Sequence, residues 1–410
     1  MIKRIMKDPL VRGSIVLMVA FGVFNFLNFM FHLIMARSLD TADYGVLATL
    51  FSIMYIMGFF TESIQTVITK YSAAQSSDGK IASLLKKSIR KARSMSIIIF
   101  ACYLVASFFL SLVLGISWSL IALNGSMIFC AFYLPVTRGV LQGKKRFGTL
   151  GLNVIIESVV KIIIATLLVW AGWRVYGAIT GTLIGAICAY LVSKISLRKI
   201  SQTKEESADI SEIYAYSRPT FVLIMGFMIF YSLDVILAKF LFDSTTAGVY
   251  AIASVLAKTI FLGTQPISRA MFPLAAENKS GIKQKNKIIF KAFALILPII
   301  IIALALFYFA PDFIIRIFSG RAISDAAGIL FYLGLGVSLI SLSNLLILYH
   351  LSSSSVKQRY LIFIPAIIEV VVLSVFSSNL AQFAIAFVIS CAALFVTALV
   401  MTFVRRSDNE

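Results

Sequence analysis

In the first part of the chain, amide and ionisable side chains lie inside apolar runs. Asn25, Asn28 and His32 follow each other at intervals of three and four residues, which places them on one face of a helix. Glu62 and Gln65 share a face in the next apolar run. An ionisable side chain near mid-bilayer costs about 2.5–3.5 kcal/mol and normally faces a bundle interior or a wet cavity. We therefore expect these five side chains to line a cavity. Hydrogen bonding between helices is the alternative for the amides, and satisfaction by neighbouring donors is the alternative for Glu62.

The second half of the chain carries a matching set of polar side chains: Asp234, Lys258 and Gln265. Asp234 aligns with His32 in the internal repeat described below. It is either a carboxylate that couples to an ion or a partner for Lys239, five residues further on. Lys258 has no obvious local partner in its own run, and pairing with Asp234 or Glu62 across a cleft between the two halves is one hypothesis for it. The carboxylates leave coupling to H⁺ or Na⁺ open.

Two further sites of charge lie inside apolar runs. Glu157 precedes Lys161 by four residues, the spacing of an ion pair within one helix. We expect that pair to neutralise both charges structurally. Glu369 stands alone in its run, four residues after Pro365, and the sequence assigns it no role.

The chain has no motif typical of an enzyme. It lacks a Walker A motif, HExxH, GxSxG and any cysteine or histidine cluster, so we predict no catalytic residue, no metal site and no cofactor. The four cysteines fall in apolar runs without a CxxC spacing and are interpreted as small buried hydrophobic residues. A membrane glycosyl- or acyltransferase would need acidic or histidine residues grouped at one membrane face, and such a group is missing.

The elements that position these residues are membrane helices. Of the 410 residues, 60% are hydrophobic and 13% are charged, whereas soluble domains average about 25% charged residues. Each membrane helix needs about 20 residues, and the apolar runs supply about twelve such helices. The predicted spans are Ser14 to Ala36, Gly45 to Thr69, Met95 to Gly115, Trp118 to Val136, Thr149 to Ala171, Val175 to Ser193, Pro219 to Leu241, Ala247 to Ser268, Ala292 to Phe309, Ala326 to Leu348, Tyr360 to Phe376 and Leu380 to Val404.

The basic residues define an orientation. The formal net charge is +19, and 30 of the 37 Lys and Arg residues fall on the side of the membrane that holds both termini. The positive-inside rule therefore places both termini in the cytoplasm. The excess of positive charge points to anionic lipids rather than nucleic acid. One basic stretch, Gly79 to Ser94, has the pattern of an amphipathic helix lying on the cytoplasmic leaflet.

The two halves of the chain resemble each other. The segment Ala36 to Ala48 (ARSLDTADYGVLA) aligns with Ala238 to Ala251 (AKFLFDSTTAGVYA), and Gly45 matches Gly248. Six spans in each half predict two parallel repeats related by an axis along the membrane normal, with a central cleft between two six-helix lobes. We predict an N-terminal lobe at 1–200, a cytoplasmic linker at 201–217 and a C-terminal lobe at 218–410.

Three segments resemble one family of membrane proteins: ARSLDTADYG, RGVLQGKKRFGTLG and SLDVILAKFLFDSTTAGVYAIASVLAKTIF. The chain resembles the polysaccharide transporters, or oligosaccharide flippases, of the multidrug/oligosaccharidyl-lipid/polysaccharide exporter superfamily. The resemblance implies a cell-membrane (plasma or inner membrane) protein that moves a lipid-linked oligosaccharide, with an undecaprenyl-diphosphate carrier, to the outer leaflet by alternating access. A polysaccharide polymerase and glycosyltransferases are partners that it leaves open. A drug or organic-cation antiporter of the same superfamily is the alternative.

The resemblance also gives the cations an expected role. A diphosphate needs positive charge and several donors, so Lys258 is the first choice for a headgroup contact. Helices one, two, seven and eight face the cleft in this family. Lys70, Arg218 and Arg269, at the cytoplasmic ends of these helices, could then form a ring at the inner mouth. Their ordinary role is to set topology and to contact anionic headgroups.

Overall fold

The computed structural model describes the backbone of residues 9–75, 77–206, 218–276, 282–352 and 359–403, and somewhat fewer side chains. All regular elements in these ranges are helical. The first half contains α1 (Pro9–Ser38), α2 (Thr41–Ala74), α3 (Asp78–Leu114), α4 (Trp118–Gly125), α5 (Met127–Gly143), α6 (Phe147–Leu168), α7 (Arg174–Ser196) and α8 (Arg198–Ser201). The second half contains α9 (Arg218–Leu241), α10 (Ser244–Ala257), α11 (Thr259–Ala276), α12 (Ile282–Phe309), α13 (Pro311–Ser319), α14 (Ser324–Ser352), α15 (Phe363–Val375) and α16 (Leu380–Phe403).

The helices confirm an all-helical membrane protein with about twelve spans. Ten helical stretches in the described residues are long and apolar enough to cross a membrane. One of them, Phe147–Ser196, has 50 residues, enough for two crossings, because a span needs about 20. The shorter apolar helix Tyr360–Val375 supplies one more.

A sharp turn separates the two crossings of the 50-residue stretch. A π-helical turn, Val169–Trp173, follows α6 and contains Gly172 at φ 89°, a left-handed conformation that glycine adopts without strain. Beyond it, α7 packs tightly on α6: a Cβ placed on Gly181 would lie 2.4 Å from the backbone nitrogen of Ala165. Small residues at such contacts let membrane helices approach closely.

Three predicted elements have different boundaries in the structure. The fourth and eighth spans are each built from two consecutive helices, α4 and α5, and α10 and α11, the second pair interrupted at Lys258. The prediction that Gly79 to Ser94 forms a separate helix on the leaflet is wrong, because these residues are the first turns of α3. Their apolar face is covered by protein: Ile81 and Leu84 are buried in one cluster with Leu197.

The chain forms two compact units. The first contains Met1–Leu39 and Met57–Arg218, and the second contains Asp40–Ile56 and Pro219–Glu410. The start of α2 thus belongs to the second unit, whereas a division at 200–218 would leave it with the first. Most of the predicted linker, residues 207–217, lies outside the described residues.

The two glycines that the sequence repeat aligns meet inside the second unit. A Cβ placed on Gly45 would lie 2.7 Å from the Cα of Gly248, and a Cβ on Gly248 would lie 2.0 Å from the carbonyl oxygen of Thr41. Only glycine leaves room for this contact.

Candidate functional site

The second unit holds a buried ion pair between α9 and α10. The ammonium nitrogen of Lys258 lies 2.8 Å from Oδ1 of Asp234, and their side chains are 8% and 0% exposed. Two hydroxyl groups donate to the other carboxylate oxygen, Ser254 at 2.7 Å and Tyr250 at 3.3 Å. The Lys258 ammonium also lies 4.7 Å from the ring centroid of Tyr231. Both carboxylate oxygens therefore have donors, and the pair is electrically neutral.

The local sequence explains this arrangement. Tyr250, Ser254 and Lys258 follow each other at intervals of four residues, so they lie along one face of the α10 region. Asp234 faces them from α9. The hypothesis that Lys258 pairs with Asp234 has the right partner, but the pair does not cross the predicted cleft: it lies within one unit, between neighbouring helices. The alternative partner for Asp234, Lys239, donates instead to the Ser244 hydroxyl at 2.7 Å.

Glu369 of α15 lies near enough to Asp234 and Lys258 to interact with both charges. Its side chain is fully buried, and neither carboxyl oxygen has a hydrogen-bond partner within the described part of the chain. An ionised carboxylate in such a setting is costly, because no donor replaces its lost hydration. Glu369 is the least satisfied polar side chain near Asp234 and Lys258, and the sequence assigned it no role.

The first unit holds a second buried lysine. Lys161 of α6 donates to Oδ1 of Asn28 in α1. Its ammonium nitrogen lies 4.5 Å from the ring centroid of Phe31, a cation–π distance. His32, the residue after Phe31 in α1, is buried and interacts with the charge of Lys161. The structure therefore brings Asn28 and His32 together around a cation, whereas Asn25 is half-buried one turn earlier.

Glu157 has a partner on a neighbouring helix that the sequence did not predict. Arg138 of α5 donates through Nη2 to Glu157 at 2.5 Å and through Nε to Asn153 at 2.7 Å. Asn153 in turn donates to the carbonyl oxygen of Ala189 on α7 at 2.6 Å. Arg138 thus joins α5 to α6, because one guanidinium group serves two acceptors at once. The predicted ion pair between Glu157 and Lys161 stays a prediction.

The remaining predicted site residues are more open. Gln65 donates to Oε1 of Gln142 at 2.9 Å, and Glu62 and Gln265 are half-buried. Lys70, predicted at the inner mouth, is exposed. The other two members of that predicted ring, Arg218 and Arg269, have side chains outside the described residues.

Several polar contacts were missed by the sequence reasoning. Tyr250 and Asn153 each complete a buried hydrogen-bond network. Tyr250 had a usable signal, because it lies eight residues before Lys258 and therefore on the same helical face. Asn153 had none, since its contacts come from α5 and α7. Arg138, counted at the cytoplasmic surface, is only 8% exposed.

These features define the class: a multi-pass, all-helical membrane protein with charged side chains neutralised inside each of two units. The family model described as "polysaccharide biosynthesis protein" matches residues 10–279. The chain belongs to this family. A curated relative, an uncharacterized membrane protein of Methanocaldococcus jannaschii, is 22% identical over 274 residues. That match spans 61% of this chain and 64% of the relative.

Solved structures share the fold over nearly the whole chain. An inward-facing multidrug resistance MATE family transporter of the MOP superfamily has a TM-score of 0.80 at 14% identity and covers 96% of this chain and 98% of its own. The Lipid II flippase MurJ, in an inward closed conformation, has a TM-score of 0.73 at 16% identity and covers 94% and 87%. A MOP superfamily transporter from Pyrococcus furiosus has a TM-score of 0.65 at 16% identity and covers 98% and 95%. The identities are low, and what these proteins share with this chain is the fold.

Proposed function

We propose that the protein is a flippase that moves a lipid-linked oligosaccharide, carried on a polyprenyl diphosphate, from the cytoplasmic to the outer leaflet by alternating access. The observation that carries the proposal is the polysaccharide biosynthesis family match over residues 10–279. The fold shared with a Lipid II flippase supports it. Both termini lie in the cytoplasm of a cell-membrane protein, because 30 of 37 basic residues collect on that side.

In this proposal, half-buried and fully buried polar side chains have different roles in transport. Asn25, Glu62, Gln65 and Gln265 are half-buried within membrane-spanning helices. Lipid would penalise a partly exposed carboxylate at that depth, so water or substrate is its more favourable environment. These side chains contact water or substrate during transport, and Glu62 is open to coupling with H⁺ or Na⁺.

Lys258 contacts the diphosphate in a state in which it has left Asp234. At 8% side-chain exposure and 2.8 Å from that carboxylate, its charge is otherwise neutralised within the unit. A diphosphate carries more than one negative charge and accepts several hydrogen bonds, so it can compete with a single carboxylate for the ammonium. His32, Asn28 and Lys161 form the corresponding polar group in the first unit.

The proposal is tested by depleting the protein from cells that make it and that carry a surface polysaccharide. Depletion should cause the lipid-linked oligosaccharide to accumulate on the cytoplasmic leaflet, where an impermeant glycosidase added to spheroplasts cannot reach it. Wild type and the control Lys86→Ala, an exposed surface cation, should restore access, whereas Lys258→Ala should not. Full restoration by Lys258→Ala, at matched protein levels, would refute the headgroup role. Normal polysaccharide after depletion would refute the flippase.

A second candidate function is an antiporter for drugs or organic cations. A multidrug resistance MATE family transporter shares the fold with a TM-score of 0.80, which favours this candidate. This candidate predicts uptake of a fluorescent organic cation into proteoliposomes driven by a H⁺ or Na⁺ gradient. Uptake without any movement of a lipid-linked glycan would favour the antiporter over the flippase.

A further inference from the structure

The first turns of α3 carry a strip of exposed cations. This basic strip consists of Lys86, Lys87, Arg90, Lys91 and Arg93, and all five side chains are exposed. The sequence alone suggested that these residues lie flat on a membrane. In the structure they belong to a continuous helix of 37 residues that runs on into the predicted third span.

The exposed face of α3 changes abruptly from basic to apolar. Beyond the basic strip the same helix exposes Met95, Ile97 and Ile98, at 41%, 54% and 56%. Arg90 and Ile97 are seven residues apart, as are Lys91 and Ile98, so cation and apolar side chain point in the same direction two turns apart. Exposed apolar side chains of this density on a spanning helix face lipid tails. The membrane surface therefore crosses α3 between Arg93 and Met95.

The opposite face of the strip is fixed to the protein. Ile81, Leu84 and Leu85 are buried in one cluster with Leu197 and Ile200. Two ion pairs join this end of the helix to neighbouring segments, Lys144 to Asp78 at 2.9 Å and Lys86 to Glu205 at 2.8 Å. The cations are thus held at a set height relative to the apolar surface.

Helix geometry sorts the five cations by depth. With a rise of about 1.5 Å per residue, Arg93, Lys91 and Arg90 lie about 3–8 Å from Met95 along the axis, whereas Lys87 and Lys86 lie about 12–14 Å away. The headgroup layer is about 5–7 Å thick on each side of the hydrocarbon core. Arg93 and Lys91 fall within it and Arg90 lies at its outer edge, whereas Lys87 and Lys86 lie beyond it.

We propose that Arg90, Lys91 and Arg93 form a binding surface for the headgroups of anionic phospholipids in the leaflet at this end of α3. Guanidinium groups bind phosphate in a bidentate manner, and two of the three cations are arginines. Each basic residue near an anionic surface contributes about a fivefold increase in binding, from about 1 kcal/mol. The surface lies on the lipid-facing side of the first unit, and the proposal is independent of what the protein transports.

The chain offers a matched control on the same helix. We expect Arg90→Gln/Lys91→Gln to lower the retention of phosphatidylglycerol by about 25-fold, from about 1 kcal/mol per charge. Lys86→Gln/Lys87→Gln removes the same charge outside the headgroup layer and should retain nearly wild-type binding. Retention is measured by native mass spectrometry of protein extracted from vesicles of phosphatidylglycerol and phosphatidylcholine, and thermal unfolding checks that both variants are folded.

Three outcomes would overturn the proposal. The first is wild-type phosphatidylglycerol retention by Arg90→Gln/Lys91→Gln. The second is an equal loss in both double variants, which would mean that diffuse charge attracts the lipid. The third is that Arg90→Gln/Lys91→Gln loses binding to a synthetic polyprenyl diphosphate but keeps its phosphatidylglycerol binding. That result would assign the surface to a diphosphate lipid. Weaker retention at high salt is expected in the wild type, because exposed charges are screened.

Discussion

Removing one partner of the ion pair between Asp234 and Lys258 should strongly destabilise the second unit. At the observed 2.8 Å, two unit charges attract each other by about 6 kcal/mol for an effective dielectric constant of about 20. The desolvation that burial requires offsets much of this attraction. Loss of a single partner, however, leaves the other charge buried alone, and such changes cost about 3–5 kcal/mol. We therefore expect Lys258→Met and Asp234→Asn each to lower the free energy of unfolding by that amount.

The double variant distinguishes the cost of a buried unpaired charge from the cost of altered packing. Asp234→Asn/Lys258→Met removes both charges, and the asparagine still accepts from Ser254 and Tyr250, which now donate to the carboxylate. Replacing a buried pair in this way is often close to neutral, so we expect stability within about 1–2 kcal/mol of wild type. Unfolding is followed in detergent with a thiol-reactive dye in a Cys102→Ser background, since Cys391 is fully buried whereas Cys102 is exposed.

A surface ion pair gives the control for this cycle. Lys86 and Glu205 are also 2.8 Å apart, but both side chains are 45% exposed. The bond from Lys86 lowers the pKa of the Glu205 carboxyl group. Because water solvates both partners, Lys86→Met should leave the melting temperature unchanged. The reasoning is refuted if the single variants at the buried pair unfold like wild type, or if the double variant loses as much as both singles combined.

Three further perturbations test the packing and the helix ends. Gly181→Ala should destabilise the first unit, because its Cβ would lie 2.4 Å from the backbone of Ala165, whereas Gly148→Ala has open space and should not lower the melting temperature. Asp243 caps α10 by accepting from two backbone N–H groups, so Asp243→Ala should cost about 1 kcal/mol and Asp243→Ser should restore most of it; equal melting temperatures for the two would contradict the cap. Arg138→Lys should unfold at lower temperature than wild type, since one ammonium cannot reproduce the two directed bonds of the guanidinium; an unchanged melting temperature would contradict this.

The number of spans followed from hydropathy alone, because transfer of apolar surface into lipid dominates the folding of each segment. Hydropathy did not predict where a helix continues and where it is interrupted. Hydropathy separated the basic start of α3 from its apolar remainder, although one helix runs through both. It also joined α10 and α11 into one span, although the helix is interrupted at Lys258. A hydropathy average over a window of residues does not detect a helix interruption at one residue inside an apolar run.

Partner choice inside the membrane was only partly predictable. The pairing of Lys258 with Asp234 could be proposed, because the second-half spans contain few charges to choose from. The pairing of Glu157 with Arg138 was not predicted, whereas the pairing of Glu157 with Lys161, four residues further on in the same helix, stays a prediction. The location of Arg138 beside Glu157 depends on how α5 packs on α6, which sequence spacing does not encode.

The most direct measurement of the central proposal is lipid translocation by the purified protein. Proteoliposomes are loaded with a fluorescent polyprenyl-diphosphate oligosaccharide in both leaflets, and an impermeant quencher is added outside. If the protein is a flippase for this lipid, wild-type vesicles should lose nearly all fluorescence, whereas protein-free vesicles should keep the inner-leaflet fraction. Equal quenching in the two preparations, with folded and oriented protein, would contradict the proposed function.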